Sequence, residues 1–83
     1  MSYDLIFTQQ FEKVFSKLKD RALEEQIWKK LKELEQKAPL GKKLKENPYW
    51  SIHINRYRVI YELRTSQILI INLLERKHDY REL

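Results

Sequence analysis

The residues able to do chemistry in this sequence are few, and their types narrow the field at once. There are two histidines, His53 and His78, no cysteine, and a single glycine, Gly41. Without cysteine there are no disulfides, thiolate zinc sites, iron–sulfur clusters or cysteine nucleophile. One glycine rules out a glycine-rich phosphate loop and a dinucleotide-binding fingerprint. Two histidines without an HExxH pattern argue against a histidine-built metal site, so neither metal nor cofactor is expected. No acid is spaced to orient His53 toward Ser51, which argues against a Ser–His nucleophile pair. What remains is a set of cations with aromatics among them: Lys42, Lys43, Lys45, Arg56, Arg58, Arg76 and Lys77, beside Tyr49, Trp50, Tyr57, Tyr61 and Tyr80. Cations hold phosphates and rings stack on bases, which is the chemistry of single-stranded RNA recognition. The same parts fit RNA cleavage through the ribose 2′-hydroxyl. A base takes the hydroxyl proton, an acid protonates the leaving 5′-oxygen, and cations steady the phosphate oxygens. His53, of a residue type that titrates near pH 6.5, is a candidate proton carrier. Arg58 and Arg76 offer permanent charge in a fork that matches phosphate, and Tyr80 can orient or stack.

Each feature also has a plainer reading. The lysines fit a solvated loop, Tyr57 and Tyr61 fit core positions, and Arg58 can pair with Glu62 on its own strand face. The charge balance favours a polyanionic partner. Seventeen Lys and Arg against twelve Asp and Glu give +5, and the pI is near 9.5. The excess is concentrated in residues 41–83, which carry net +4 against +1 for residues 1–40. A basic domain of this size invites a phosphate backbone. The longest apolar run, Ile68 to Ile71, is far short of a membrane span. No basic-then-apolar leader opens the chain, so a cytoplasmic address without membrane attachment is the expectation.

Eighty-three residues make one domain, 1–83. Tyr3, Leu5 and Phe7 alternate as in a short strand. Thr8 is a plausible N-cap for a helix whose stripe is Phe11, Val14, Phe15 and Leu18. Asp20 can cap a second helix from Arg21 to about Lys37, with Leu23, Ile27, Leu31, Leu34 and Ala38 on one face and Pro39 ending it. Trp28 widens that face, either as core edge or as an exposed patch. Leu40 to Tyr49 reads as a connector. Beyond it the period becomes two: Trp50, Ile52 and Ile54 face one way, and Ser51, His53 and Asn55 the other. Tyr57, Val59, Tyr61 and Leu63 alternate with Arg58, Ile60, Glu62 and Arg64. Gln67 to Leu74 is nearly all apolar, as in a strand buried on both faces. The order β-α-α-β-β-β predicts an α+β domain, in which an antiparallel helix hairpin packs on a mainly antiparallel four-stranded sheet. A tight hairpin around Asn55-Arg56 brings the polar sets of its two strands together on the face away from the helices, rimmed by Lys42, Lys43 and Lys45.

The runs KLKENPYWSIHINRYRVIYEL and ILIINLLERKHDY resemble the RelE/ParE toxin superfamily of toxin–antitoxin systems, and the resemblance covers nearly the whole chain. Its most specific pieces are Tyr57-Arg58-Val59-Ile60-Tyr61, then Arg76 and Tyr80. In RelE-like members this implies a small toxin that enters the ribosomal A site and cleaves mRNA without a metal, and that a cognate antitoxin wraps and neutralises. By the resemblance, Arg58 and Arg76 stabilise the phosphate, Tyr80 stacks on a base or helps proton transfer, and Lys43 and Lys45 contact RNA, with Arg56 and Lys77 adding charge. The chain departs from the best-studied branch in having Ser51 and His53 where that branch has two lysines, which leaves His53 as the candidate substitute. The alternatives are a ParE-like DNA gyrase poison and a degenerate toxin that only binds its antitoxin.

Overall fold

A computed structural model describes residues 3–45 and 48–75. The chain runs β1 (Asp4–Phe7), α1 (Gln9–Ser16), α2 (Arg21–Lys37), β2 (Lys42–Lys43), β3 (Tyr49–Ile54), β4 (Tyr57–Leu63) and β5 (Gln67–Glu75). The strands form one sheet in the order β1-β5-β4-β3-β2. Only the β1–β5 pair is parallel; the three other pairs are antiparallel. The expected α+β class holds, and the sheet has one strand more than the four expected. The connector supplies it, because Lys42 and Lys43 pair with Ser51 and Trp50 along the edge of β3.

Both helices begin where a side chain can accept a first-turn N–H. The Thr8 Oγ1 accepts from Phe11 N at 3.2 Å, and the Asp20 Oδ1 from Leu23 N at 3.1 Å. The Thr8 hydroxyl also ties α1 to the sheet. It lies 2.7 Å from the Ile71 carbonyl and 3.0 Å from that of Ile70, and its single proton goes to the nearer. α2 stops at Lys37 because Ala38 must be extended before Pro39, and it is, with ψ 146°.

The core lies between the helices and one sheet face. Phe11, Leu23, Ile27, Leu31 and Leu34 from the helices meet Ile52, Ile54, Val59, Tyr61, Ile68, Ile70 and Leu73 from the strands. Full burial of each aliphatic side chain there contributes roughly 1.5–3 kcal/mol. β5 is buried on one face rather than both: Leu74 on its outer side is 37% exposed. The run looks continuous because Leu69 and Leu74 are apolar on the outer side and a bulge adds one more apolar residue. Ile60 pairs with Asn72 but Tyr61 with Ile70, so Ile71 is an extra residue, and the inward positions step from Ile70 to Leu73. Trp28 resolves as an exposed ring, 46% accessible, stacked on Phe7 at 5.6 Å. Among the described residues no helix is long and apolar enough to cross a membrane.

Candidate functional site

The β3–β4 hairpin fixes the central pair of the site. Ile54 and Tyr57 close a two-residue loop, so Asn55 and Arg56 form the turn. Asn55 takes φ 59°, a left-handed conformation that asparagine tolerates better than most residues. That register places His53 directly opposite Arg58, a pairing that holds Cβ atoms about 4.5–5.5 Å apart. Both point to the face away from the helices. His53 is exposed and Arg58 half-buried. Two pairs along the hairpin, Ser51 is opposite Ile60, and on its other side Ser51 pairs with Lys42. Ser51 is 6% exposed, and its Oγ has no hydrogen-bond partner among the described residues.

Gly41, Lys42, Lys43, Leu44 and Lys45 form one wall of an open recess of about 580 Å³, and Ser51, His53 and Arg58 the other. Among the described residues no carboxylate lines it. Three lysines and an arginine therefore face the same space with a histidine, and the field there favours an anion. Arg58 offers the fork for a phosphate, the lysines offer mobile charge, and His53 offers an imidazole beside them.

Two residues that sequence reasoning did not assign to the site hold this wall in place. Tyr61, fully buried, donates from its hydroxyl to the Leu40 carbonyl at 2.6 Å and accepts from the Leu40 N–H at 2.9 Å. Burial pushes its pKa up, with the hydrogen bond to Leu40 acting the other way. Trp50 stacks beside it, with ring centroids 6.3 Å apart. Gly41 follows at φ +88°, and a Cβ there would strike the Ser51 carbonyl oxygen. The lysine strand thus lies against β3 because a buried tyrosine anchors the residue before it and a glycine lets the backbone turn in. The signals were present in the sequence: a tyrosine in an otherwise aliphatic inward row needs a partner for its hydroxyl, and the only glycine sits in the connector.

Of the site residues expected from sequence, the fold brings together His53, Arg58, Lys43 and Lys45, joined by Lys42 and Ser51. Arg56 does not line the recess; it stands at the hairpin tip, in a separate opening. Glu62 lies opposite Tyr49, four pairs from Arg58, and its Oε1 is 3.4 Å from Arg64. Asn55 leaves the polar face for Gln26, at 3.5 Å. Arg76, Lys77 and Tyr80 lie outside the described residues. Among the described residues no group of three or more His, Asp or Glu side chains is placed to hold a metal ion.

The sequence pattern of the ParE toxin of type II toxin–antitoxin systems, parDE, matches residues 5–80. No protein with curated annotation matches the chain. Among solved structures, the chain is similar to the toxin of the intact Escherichia coli RelBE toxin–antitoxin complex. The identity is 26% and the TM-score 0.78, over 89% of this chain and 96% of that one. The archaeal RelE–RelB complex from Pyrococcus horikoshii gives 22% identity and a TM-score of 0.75, over 93% and 98%. The chromosomal ParDE system from P. aeruginosa gives 12% and 0.74, over 89% and 96%. The last two identities establish a shared fold. A β-α-α-β-β-β-β domain with this sheet order, matched along nearly its full length by the family pattern, belongs to the RelE/ParE superfamily, and the chain is a ParE-family toxin of a type II toxin–antitoxin system.

Proposed function

We propose that this toxin is a ribosome-dependent endoribonuclease that cleaves mRNA without a metal ion and so arrests translation. The observation that carries the reading is the cationic recess with His53 opposite Arg58 and three lysines along its rim. An RNA strand lying there would have a scissile phosphate against the Arg58 guanidinium, with neighbouring phosphates against Lys42, Lys43 and Lys45. The 2′-oxygen attacks phosphorus as its proton passes to His53 Nε2 or Nδ1. The bond to the 5′-oxygen breaks, and that oxygen leaves with a proton from a second donor. Charge builds on the non-bridging oxygens, and Arg58 stabilises it most where it is greatest. Arg76 is proposed as the second cation at the phosphate, Tyr80 as the stacking or proton-ordering group, and Lys77 and Arg56 as further RNA contacts.

A cognate antitoxin is the proposed protein partner, since two of the similar structures are toxin–antitoxin complexes. An antitoxin that covers the cationic recess would block RNA entry. A second reading, a gyrase poison, is favoured by the match to the ParE family pattern and the ParDE neighbour. Primer extension on an mRNA in a purified translation system separates the two. Cuts within the A-site codon for wild type and none for Arg76→Ala support the ribonuclease. No cuts from folded wild-type protein, together with inhibited gyrase supercoiling, support the poison.

A further inference from the structure

A second opening, of about 490 Å³, lies around the hairpin tip from the recess. It is bounded by Lys17, Lys19 and Asp20 of the α1–α2 loop and by Arg56 and Tyr57, over Leu23. The three cations are exposed, and none forms a salt bridge among the described residues. The one acid in the wall is already engaged, because the Asp20 carboxylate accepts the Leu23 N–H as the cap of α2. Three like charges drawn from two separate elements stand around one hollow against the single Asp20 carboxylate, which leaves it net positive and suited to an anionic ligand. Tyr57, half-buried, adds an aromatic wall to the cations, the combination that takes a nucleotide strand. The two openings share no lining residue, but the hairpin links them. Arg56 is two residues from Arg58 along the hairpin, about 7 Å of strand.

We infer that this opening is a second phosphate-binding site, which holds single-stranded RNA as it leaves the recess over the hairpin tip. The inference rests on the ribonuclease reading and adds to it a binding surface outside the reacting centre. Lys17 and Lys19 would be phosphate contacts and Arg56 their partner from the facing element. The strand would be held at two points, so its register against Arg58 would be set by both.

The test is the salt dependence of RNA affinity. The full-length toxin is titrated into a fluorescein-labelled single-stranded RNA of about 12 nucleotides, within the usual footprint of such sites, with 2′-O-methyl sugars to prevent cleavage. Wild type and Lys17→Gln/Lys19→Gln are compared between 50 and 200 mM salt. Loss of two phosphate contacts makes the log–log slope shallower by about 1.4 and weakens binding about 25-fold at 0.1 M salt relative to a 1 M reference. The thermal midpoint should not move, since both lysines are exposed. If the double variant fails to fold, Arg56→Gln reads the same site from the other element, with a slope shallower by about 0.7. An unchanged slope in folded variants of a toxin that does bind RNA overturns the second site alone. A wild-type protein with no salt-dependent RNA binding overturns the second site, and the ribonuclease reading falls with it only if the same protein also makes no cuts in the purified translation system. An unchanged RNA slope with lost affinity for a poly-glutamate peptide overturns it in favour of an acidic protein segment.

Discussion

Replacing Tyr61 by phenylalanine removes one oxygen from a fully buried ring and leaves its packing intact, which isolates what the hydroxyl does. That oxygen makes two hydrogen bonds, 2.6 Å to the Leu40 carbonyl and 2.9 Å from the Leu40 N–H. A hydrogen bond of this kind contributes about 1 kcal/mol net, and a half-buried partner left unsatisfied adds to the loss. Leu40 is partly exposed, so water recovers some of it. The expected destabilisation is about 2 kcal/mol, which for a domain of this size lowers the thermal midpoint by about 8–16 °C. The effect is not confined to stability. Leu40 precedes the turn that lays Lys42 and Lys43 on β3, so RNA affinity should fall as well, measured below the variant's own unfolding transition. Urea unfolding gives the first quantity and fluorescence anisotropy the second. A loss under about 0.5 kcal/mol with unaltered RNA affinity would refute the reasoning that Tyr61 anchors the lysine wall.

The remaining predictions concern the same scaffold. Gly41→Ala, at φ +88° against the Ser51 carbonyl, should cost about 1–3 kcal/mol in urea unfolding and weaken RNA binding; a neutral result would mean that the connector adapts freely. Thr8→Ala removes an N-cap and the hydrogen bond to the Ile71 carbonyl at the β5 bulge. It should lower stability by about 1–2 kcal/mol, and no change in midpoint would discount that link. The raised pKa of Tyr61 has a definite sign. The folded state holds the proton more tightly than the unfolded chain, so this contribution is intact below about pH 10, the ordinary tyrosine value, and is lost as pH rises through the folded pKa. The stability advantage of wild type over Tyr61→Phe should therefore shrink above about pH 10, and a gap that stays constant would rule the contribution out.

Most of the fold was legible because its signals are periodic. The 3–4 spacing of Leu23, Ile27, Leu31 and Leu34 gave α2, and strict alternation gave the inward row Ile52, Ile54, Val59, Tyr61. Thr8 and Asp20 marked the helix starts through side-chain chemistry alone. The same alternation put His53 and Arg58 on one face before any register was known, and the two-residue hairpin made them neighbours. Three features escaped for physical reasons. β2 consists of two lysines, which carry no strand pattern; pairing to β3 makes it a strand. On β5 the outer positions Leu69 and Leu74 are apolar and a bulge adds Ile71, so a strand with one buried face reads as buried on both. Ser51 counts as a polar, outward residue in sequence, yet it is buried where Lys42 pairs across it.

In the proposed reaction Arg58, opposite His53 in the recess, stabilises the cleavage transition state. The most direct measurement is the single-turnover cleavage rate on mRNA-programmed ribosomes for wild type, Arg58→Ala and Arg58→Lys. Loss of one preorganised donor to a developing oxyanion predicts about a 10²–10³-fold drop for alanine, with partial recovery for lysine. Ribosome binding should be largely retained. Cleavage by folded Arg58→Ala at the wild-type rate would contradict the claim.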